Sequence, residues 1–294
     1  RAALAPSPPR APSLDSEAGL RQPSRETNWL LHNVLRVIAT AQILGGTLAP
    51  LFVDLFTGGK ISVGPPYFDI AFAIPMLPLV LLVGFGMHAS WRAQDAGPLL
   101  RMLKVPAIIA LVLGIAIPVV IYGGSSPLLI VGVIAAIWIM AVSVIQPIRS
   151  WRRASGAAGI TRGVLGMSIA HFGVGMFVLG VSVVSSFSIE ADRSLRPGEQ
   201  VNVAGYDFTL RSLQNVQGPN FQALEGEIEV RRNGEFVTEL RPQKRTYLVQ
   251  QSPMTEAGID AGWNRDLFVA LGDPLGADAW SVRLQYKPMI RFIW

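Results

Sequence analysis

Long apolar runs alternate with short basic segments over the first two-thirds of the chain, and short stretches of alternating apolar and polar residues fill most of the remainder. A helix of about 20 apolar residues crosses the roughly 30 Å hydrocarbon layer of a bilayer. Five runs reach that length, at about 28–53, 67–88, 105–122, 127–146 and 163–188. The first is the least uniform, because it contains Arg36 and Gln42. The second holds Asp69 at its edge and Pro75 and Pro78 inside, and the third holds Pro118 near its end. Such prolines mark either functional breaks or packing kinks, the latter because neighbouring helices re-satisfy the freed carbonyls. A further apolar run opens at Met289, so 288–294 is expected to begin a last transmembrane helix that the chain truncates, as in a fragment.

Between these helices and that last run, the pattern changes period. Residues 200–204, 206–216, 221–230, 236–240, 246–250, 267–271 and 280–286 alternate apolar and polar side chains between turn signals, which predicts strands. Asn233-Gly234 predicts a tight hairpin, since both residues tolerate the positive φ of such a turn. The fold class that follows is a polytopic α-helical membrane protein, with five complete spans in 28–189 and an all-β domain at 190–287. A small barrel or sandwich fits the strand spacing, with an OB-like barrel as one form.

Composition sharpens the division. Half of the residues are hydrophobic and 15% are charged, against about 25% charged in soluble domains. The 190–287 region holds 11 Lys/Arg and 14 Asp/Glu, a balance of −3, while the rest of the chain holds 14 and 6, a balance of +8. Positive charge beside apolar spans is a topology signal rather than a nucleic-acid footprint. Arg21 and Arg25 precede the first span, Arg92, Arg101 and Lys104 lie between the second and third, and Arg149, Arg152, Arg153 and Arg162 lie between the fourth and fifth. The alternate loops hold only Lys60, or nothing basic at all in the Gly-Gly-Ser-Ser turn at 123–126. The basic loops are therefore expected in the cytoplasm, with the β domain exported to the periplasm. Trp29, Trp91 and Trp151 then fall at one interface and Tyr67 and Tyr122 at the other, as an aromatic belt requires. Residues 1–27, rich in Pro, Ala, Ser and Arg at the start, read as a mobile cytoplasmic segment. With no cysteine in the chain, disulfides and thiolate metal sites are excluded.

Three histidines carry most of the candidate chemistry. His32 and His88 fall near the ends of the first and second spans and read as interfacial, structural residues. His171 lies nine residues past Arg162, about 13 Å along a helix axis, and an ionisable side chain at that depth faces a bundle interior or a ligand. Gly166, Ser168, Gly173, Gly175 and Gly180 thin the same helix enough to admit a neighbouring helix or a flat macrocycle. A neutral imidazole is a good ligand for haem iron. A histidine hydrogen-bonded in a glycine-rich packing seam fits the same residues. Arg36 either snorkels to the cytoplasmic surface or pairs with an anionic group inside the bundle. Glu225, Glu227 and Glu229 alternate along one strand and read as a solvated face, and Arg265-Asp266 reads as an exposed loop ion pair. No catalytic set is recognisable.

Several short strings are more specific than any periodicity. Ser24-Arg25-Glu26 before the first span, Gly46-Thr47-Leu48-Ala49-Pro50 within it, and the loop from Gly59-Lys60-Ile61-Ser62-Val63 to Gly64-Pro65-Pro66-Tyr67-Phe68 resemble segments of the CcmF family. So do Ala170-His171-Phe172-Gly173, Pro253-Met254-Thr255-Glu256-Ala257, Arg265-Asp266-Leu267-Phe268-Val269 and Tyr286-Lys287-Pro288, in the family's order and spacing. The resemblance implies a subunit of the cytochrome c haem lyase of the bacterial inner membrane. It implies transfer of haem from the chaperone CcmE to an apocytochrome c held with CcmH and CcmI. It also implies that His171 is an axial ligand of a membrane-embedded haem b, its metal being the haem iron. No catalytic residue is assigned, because the family's tryptophan-rich WWD segment, its periplasmic histidines and its second membrane histidine are expected upstream of this chain. The alternative reading is a membrane scaffold or transporter whose periplasmic domain recruits partners. Paired broken helices in inverted repeats would mark the transporter, and none is visible.

Overall fold

A computed structural model describes residues 25–90, 96–122, 126–154, 156, 159–249, 251–276 and 278–294. Residues 1–24, Trp91, Arg92 and the turn residues 123–125 lie outside the described residues. Helices α1 (Arg25–Thr57), α2 (Pro65–His88), α3 (Ala96–Tyr122), α4 (Pro127–Ser143), α5 (Ile145–Arg153) and α6 (Arg162–Phe187) come first. Five helical segments are long and apolar enough to cross a membrane, α4 and α5 together forming one of them.

Helix boundaries follow backbone chemistry more than hydropathy. Pro65 and Pro66 open α2, where the first turn has no use for their missing N–H groups. Pro75 and Pro78 lie within α2 and Pro50 within α1, each without interrupting its helix. α3 starts nine residues ahead of the expected 105, because a helix accommodates Arg101 and Lys104 although an apolar count does not. The expected last helix is, over the described residues, a short 3-10 turn at Ile290–Phe292.

The described residues divide into two compact units, one within 25–114 and 137–172 and one within 115–136 and 173–294. Within the first, α1 and α2 pack along one another and the Trp138 indole reaches the second: its ring lies over Gly84 and its Nε1 donates to the Leu81 carbonyl at 3.2 Å. Asn28 of α1 donates to the Leu82 carbonyl at 3.3 Å.

The second unit contains a β-sandwich rather than an OB-like barrel. Strands β1 (Ile189–Leu195), β10 (Trp280–Pro288), β9 (Arg265–Pro274) and β8 (Gly258–Ala261) form one sheet in that order. Strands β2 (Gln200–Val203), β3 (Tyr206–Gln217), β4 (Phe221–Arg232), β6 (Gln243–Tyr247) and β7 (Pro253–Glu256) form the other, with β5 (Glu235–Leu240) also paired to β4. All pairings are antiparallel. Phe208, Leu210, Ile228 and Val230 of one sheet meet Leu267, Val269, Leu271, Val282 and Leu284 of the other in a core that excludes solvent completely at these positions. Their i, i+2 spacing is what a strand buried on one face requires. Each such side chain contributes about 1.5–3 kcal/mol relative to exposure, enough to hold a domain without disulfides. Asn233 and Gly234, at φ 53° and 82°, make the β4–β5 turn as expected.

Candidate functional site

His171 lies in α6, half-buried, with its Nδ1 2.8 Å from the Met167 carbonyl one turn earlier. A carbonyl only accepts, so Nδ1 carries the proton and Nε2 keeps a lone pair. Fixing one ring nitrogen in this way is how proteins orient imidazoles that ligate metals.

A cavity of about 270 Å³ in the first unit brings His171 together with residues of α1 and α2. His32, Arg36, Trp29 and Asn28 line it from α1, Gly86 and Met87 from α2, and Met167 and His171 from α6. His32, read from the sequence as interfacial and structural, packs inside the first unit. It is only 9% exposed and its Nε2 has no hydrogen-bond partner. One turn along α1, Arg36 lines the same cavity, and no described carboxylate pairs with it. His32 and Arg36 share a helix face because they are four residues apart.

The third histidine is elsewhere. His88 ends α2 with Nε2 3.0 Å from the Val142 carbonyl, which ties α2 to α4 and leaves it outside the cavity lining. At Gly166 and Gly173 an added Cβ would meet nothing within 4 Å, consistent with a thin helix face beside His171.

The cavity fits the edge of a metal macrocycle. Two imidazoles with free Nε2 atoms are iron ligands by chemistry, Met87 and Met167 supply soft apolar walls, and an orphaned buried nitrogen is a group awaiting a partner. At about 270 Å³ it falls just below the roughly 300–1,000 Å³ of sites that enclose a small ligand. These residues form one wall of a site.

The β-sandwich candidates resolve differently from their sequence reading. Glu225, Glu227 and Glu229 do share a side of β4, but that side is not open. Glu225 is 8% exposed and accepts from Gln214 and Gln243, Glu227 accepts from Ser212 at 2.8 Å, and Glu229 pairs with Arg211 and Arg231. Neighbouring strands supply donors that a single-strand pattern cannot reveal. Nor do Arg265 and Asp266 form an exposed pair with each other. Arg265 binds Asp260 and the Tyr206 hydroxyl, and Asp266 receives Arg291. A concavity of the sandwich, about 690 Å³, is lined by polar residues such as Asn215, Gln217, Gln222 and Lys244 with Trp280, and by no histidine among the described residues. Among the described residues no group of three or more His, Asp or Glu side chains is placed to hold a metal ion.

Comparison with known proteins sets these features in a family. A sequence model described as the CcmF C-terminal beta-sandwich matches residues 186–288. The chain is 40% identical over 289 residues to cytochrome c-type biogenesis protein CcmF of Pseudomonas fluorescens, covering 97% of this chain and 44% of that protein. It is 35% identical over 271 residues to the protein of the same name in Escherichia coli strain K12, covering 92% and 41%. A solved structure named cytochrome c heme lyase CcmF superposes with a TM-score of 0.73 at 19% identity, over 92% of this chain and 43% of that one, and so shares its fold. The chain thus spans less than half the length of the relatives it matches. It corresponds to the C-terminal portion of the CcmF family, a β-sandwich following five helices long and apolar enough to cross a membrane.

Proposed function

We propose that this chain is the C-terminal part of a CcmF-type haem lyase subunit, active in cytochrome c biogenesis, and that His171 ligates a haem b within the membrane. The observation that carries the reading is the His171 ring itself. Its Nδ1 is held by the Met167 carbonyl, and its Nε2 lone pair belongs to a cavity shared with His32 and Arg36. Bound there, the haem supplies a one-electron redox centre for handling the haem that is to be attached. Met167 fixes the ring, Met87 and Trp29 wall the cavity with apolar surface, and α6 holds the imidazole on a regular helix, a more exact mounting than a loop. The second axial ligand and the haem-attachment site are assigned to the upstream part of the protein, where the relatives have the rest of their length.

The basic loops are assigned to the cytoplasm of the bacterial inner membrane, which puts the β-sandwich in the periplasm. There it is available to CcmE, to CcmH and CcmI, and to the apocytochrome.

The test is spectroscopic. Purified full-length protein should show the low-spin spectrum of a b-type haem, and His171→Ala should lose it or turn it high-spin. A spectrum identical in the variant removes His171 from the site.

A further inference from the structure

Among the described residues, the lining of the His171 cavity includes Arg36, His32 and His171 and no Asp or Glu. Arg36 lies eleven residues into α1, about 16 Å along its axis, and no described carboxylate is within ion-pair reach. One turn before it, the more than nine-tenths buried His32 ends in an Nε2 with no hydrogen-bond partner. A guanidinium inside a span and an orphaned imidazole nitrogen are both costly. The two lie on one helix face and line one cavity, so a single ligand relieves both.

We infer that Arg36 and His32 form the carboxylate-receiving wall of this cavity and grip the acidic side chains of the haem that His171 ligates. The inference rests on the haem reading above and assigns which edge of the macrocycle enters first. Arg36 makes a charge-assisted contact to a carboxylate, the strong form of the hydrogen bond. His32 hydrogen-bonds the protonated oxygen of a carboxyl group or a water between them. Met87 and Met167 would offer the tetrapyrrole ring an apolar wall, and Arg36 and His32 of α1 would receive its charged edge. On this reading Arg36 acts on an anion held in the cavity rather than on the headgroups.

Esterification provides the experiment. Full-length protein, depleted of haem and placed in nanodiscs of zwitterionic lipid, is titrated with iron protoporphyrin and with its dimethyl ester, which cannot carry the negative charges. Affinity is read from the Soret band. The wild-type protein should prefer the diacid by about tenfold or more, the scale of one charge-assisted contact. Arg36→Gln should abolish most of that preference, Arg36→Lys should retain part of it, and His32→Phe should reduce it. All three should keep the low-spin band due to His171, which also shows that they are folded.

Equal affinity for diacid and diester in the wild type overturns the inference, as does a preference that survives Arg36→Gln. An unchanged preference together with loss of a co-purified anionic lipid from Arg36→Gln also overturns it, and assigns the guanidinium to a lipid phosphate. If His171→Ala alone leaves the haem band unaltered, the failure belongs to the haem reading and not to Arg36.

Discussion

At the scale of single residues, the first unit is built on close approaches that leave room for nothing larger than hydrogen. Gly84 of α2 lies under the Trp138 indole, so that a methyl group there would overlap the ring, and the same indole donates to the Leu81 carbonyl. Gly84→Ala should displace the indole, break its hydrogen bond and cost about 1–3 kcal/mol, the usual penalty of overpacking. Thermal unfolding of the purified protein, followed by tryptophan emission, measures this, and an unchanged midpoint would show that the helices spread without cost. His171 was legible in the sequence because depth within an apolar run can be counted. His32 was not, because its burial depends on the Leu82 carbonyl and the α6 side chains, fifty and more residues distant. The one available signal was spacing: His32 and Arg36 fall four apart on the same face.

At the scale of elements, charged pairs across neighbouring strands reinforce both sheets of the sandwich. Arg283 of β10 bonds Asp192 of β1 through two nitrogens at 2.8 and 3.1 Å, and its hydrogen bond lowers the Asp192 carboxyl below its ordinary range. Arg231, with Arg211, does the same to Glu229 on β4. A carboxyl group lowered on folding stabilises the domain at pH values above its unfolded pKa, about 4, and that stabilisation is lost as pH falls through the folded value. The urea midpoint of the β-sandwich transition should therefore be flat from neutrality to about pH 5 and decline below about pH 4. Asp192→Asn with Glu229→Gln should lower the plateau and flatten the decline. An acid limb identical in the double variant would mean that other carboxylates set it. Strands β3, β4, β9 and β10 were readable because each sends several side chains into the core at i, i+2 spacing, most regularly in β9. β1, β7 and β8 were not, being edge strands or only four residues long, with few buried positions to reveal a period. The hairpin at Asn233-Gly234 needed no tertiary context, since its backbone conformation is local.

At the scale of the whole molecule, the charge of the connecting segments assigns sides. Arg101, Lys104, Arg149, Arg152, Arg153 and Arg162 cluster at helix ends that flank alternate connections, and Lys60 stands alone in another connection. A fluorescent-protein fusion after Arg153 should glow in the cytoplasm, and an alkaline-phosphatase fusion after Phe187 should be active outside it. The reverse pair of results would overturn the sidedness proposed above. That there are five spans was readable from hydropathy alone, while the pairing of their faces was not, because a helix apolar on all sides carries no stripe to indicate its neighbour.

The sandwich is entered and left at a single corner. β1, beginning two residues after α6, lies antiparallel beside β10, with Ile189 opposite Tyr286, and the turn that follows β10 packs on Gly180 of α6. The first and last strands of the domain thus zip to each other, and the residues that follow β10 return to the helix from which β1 departs, so the two ends of the fold brace one another without a covalent link.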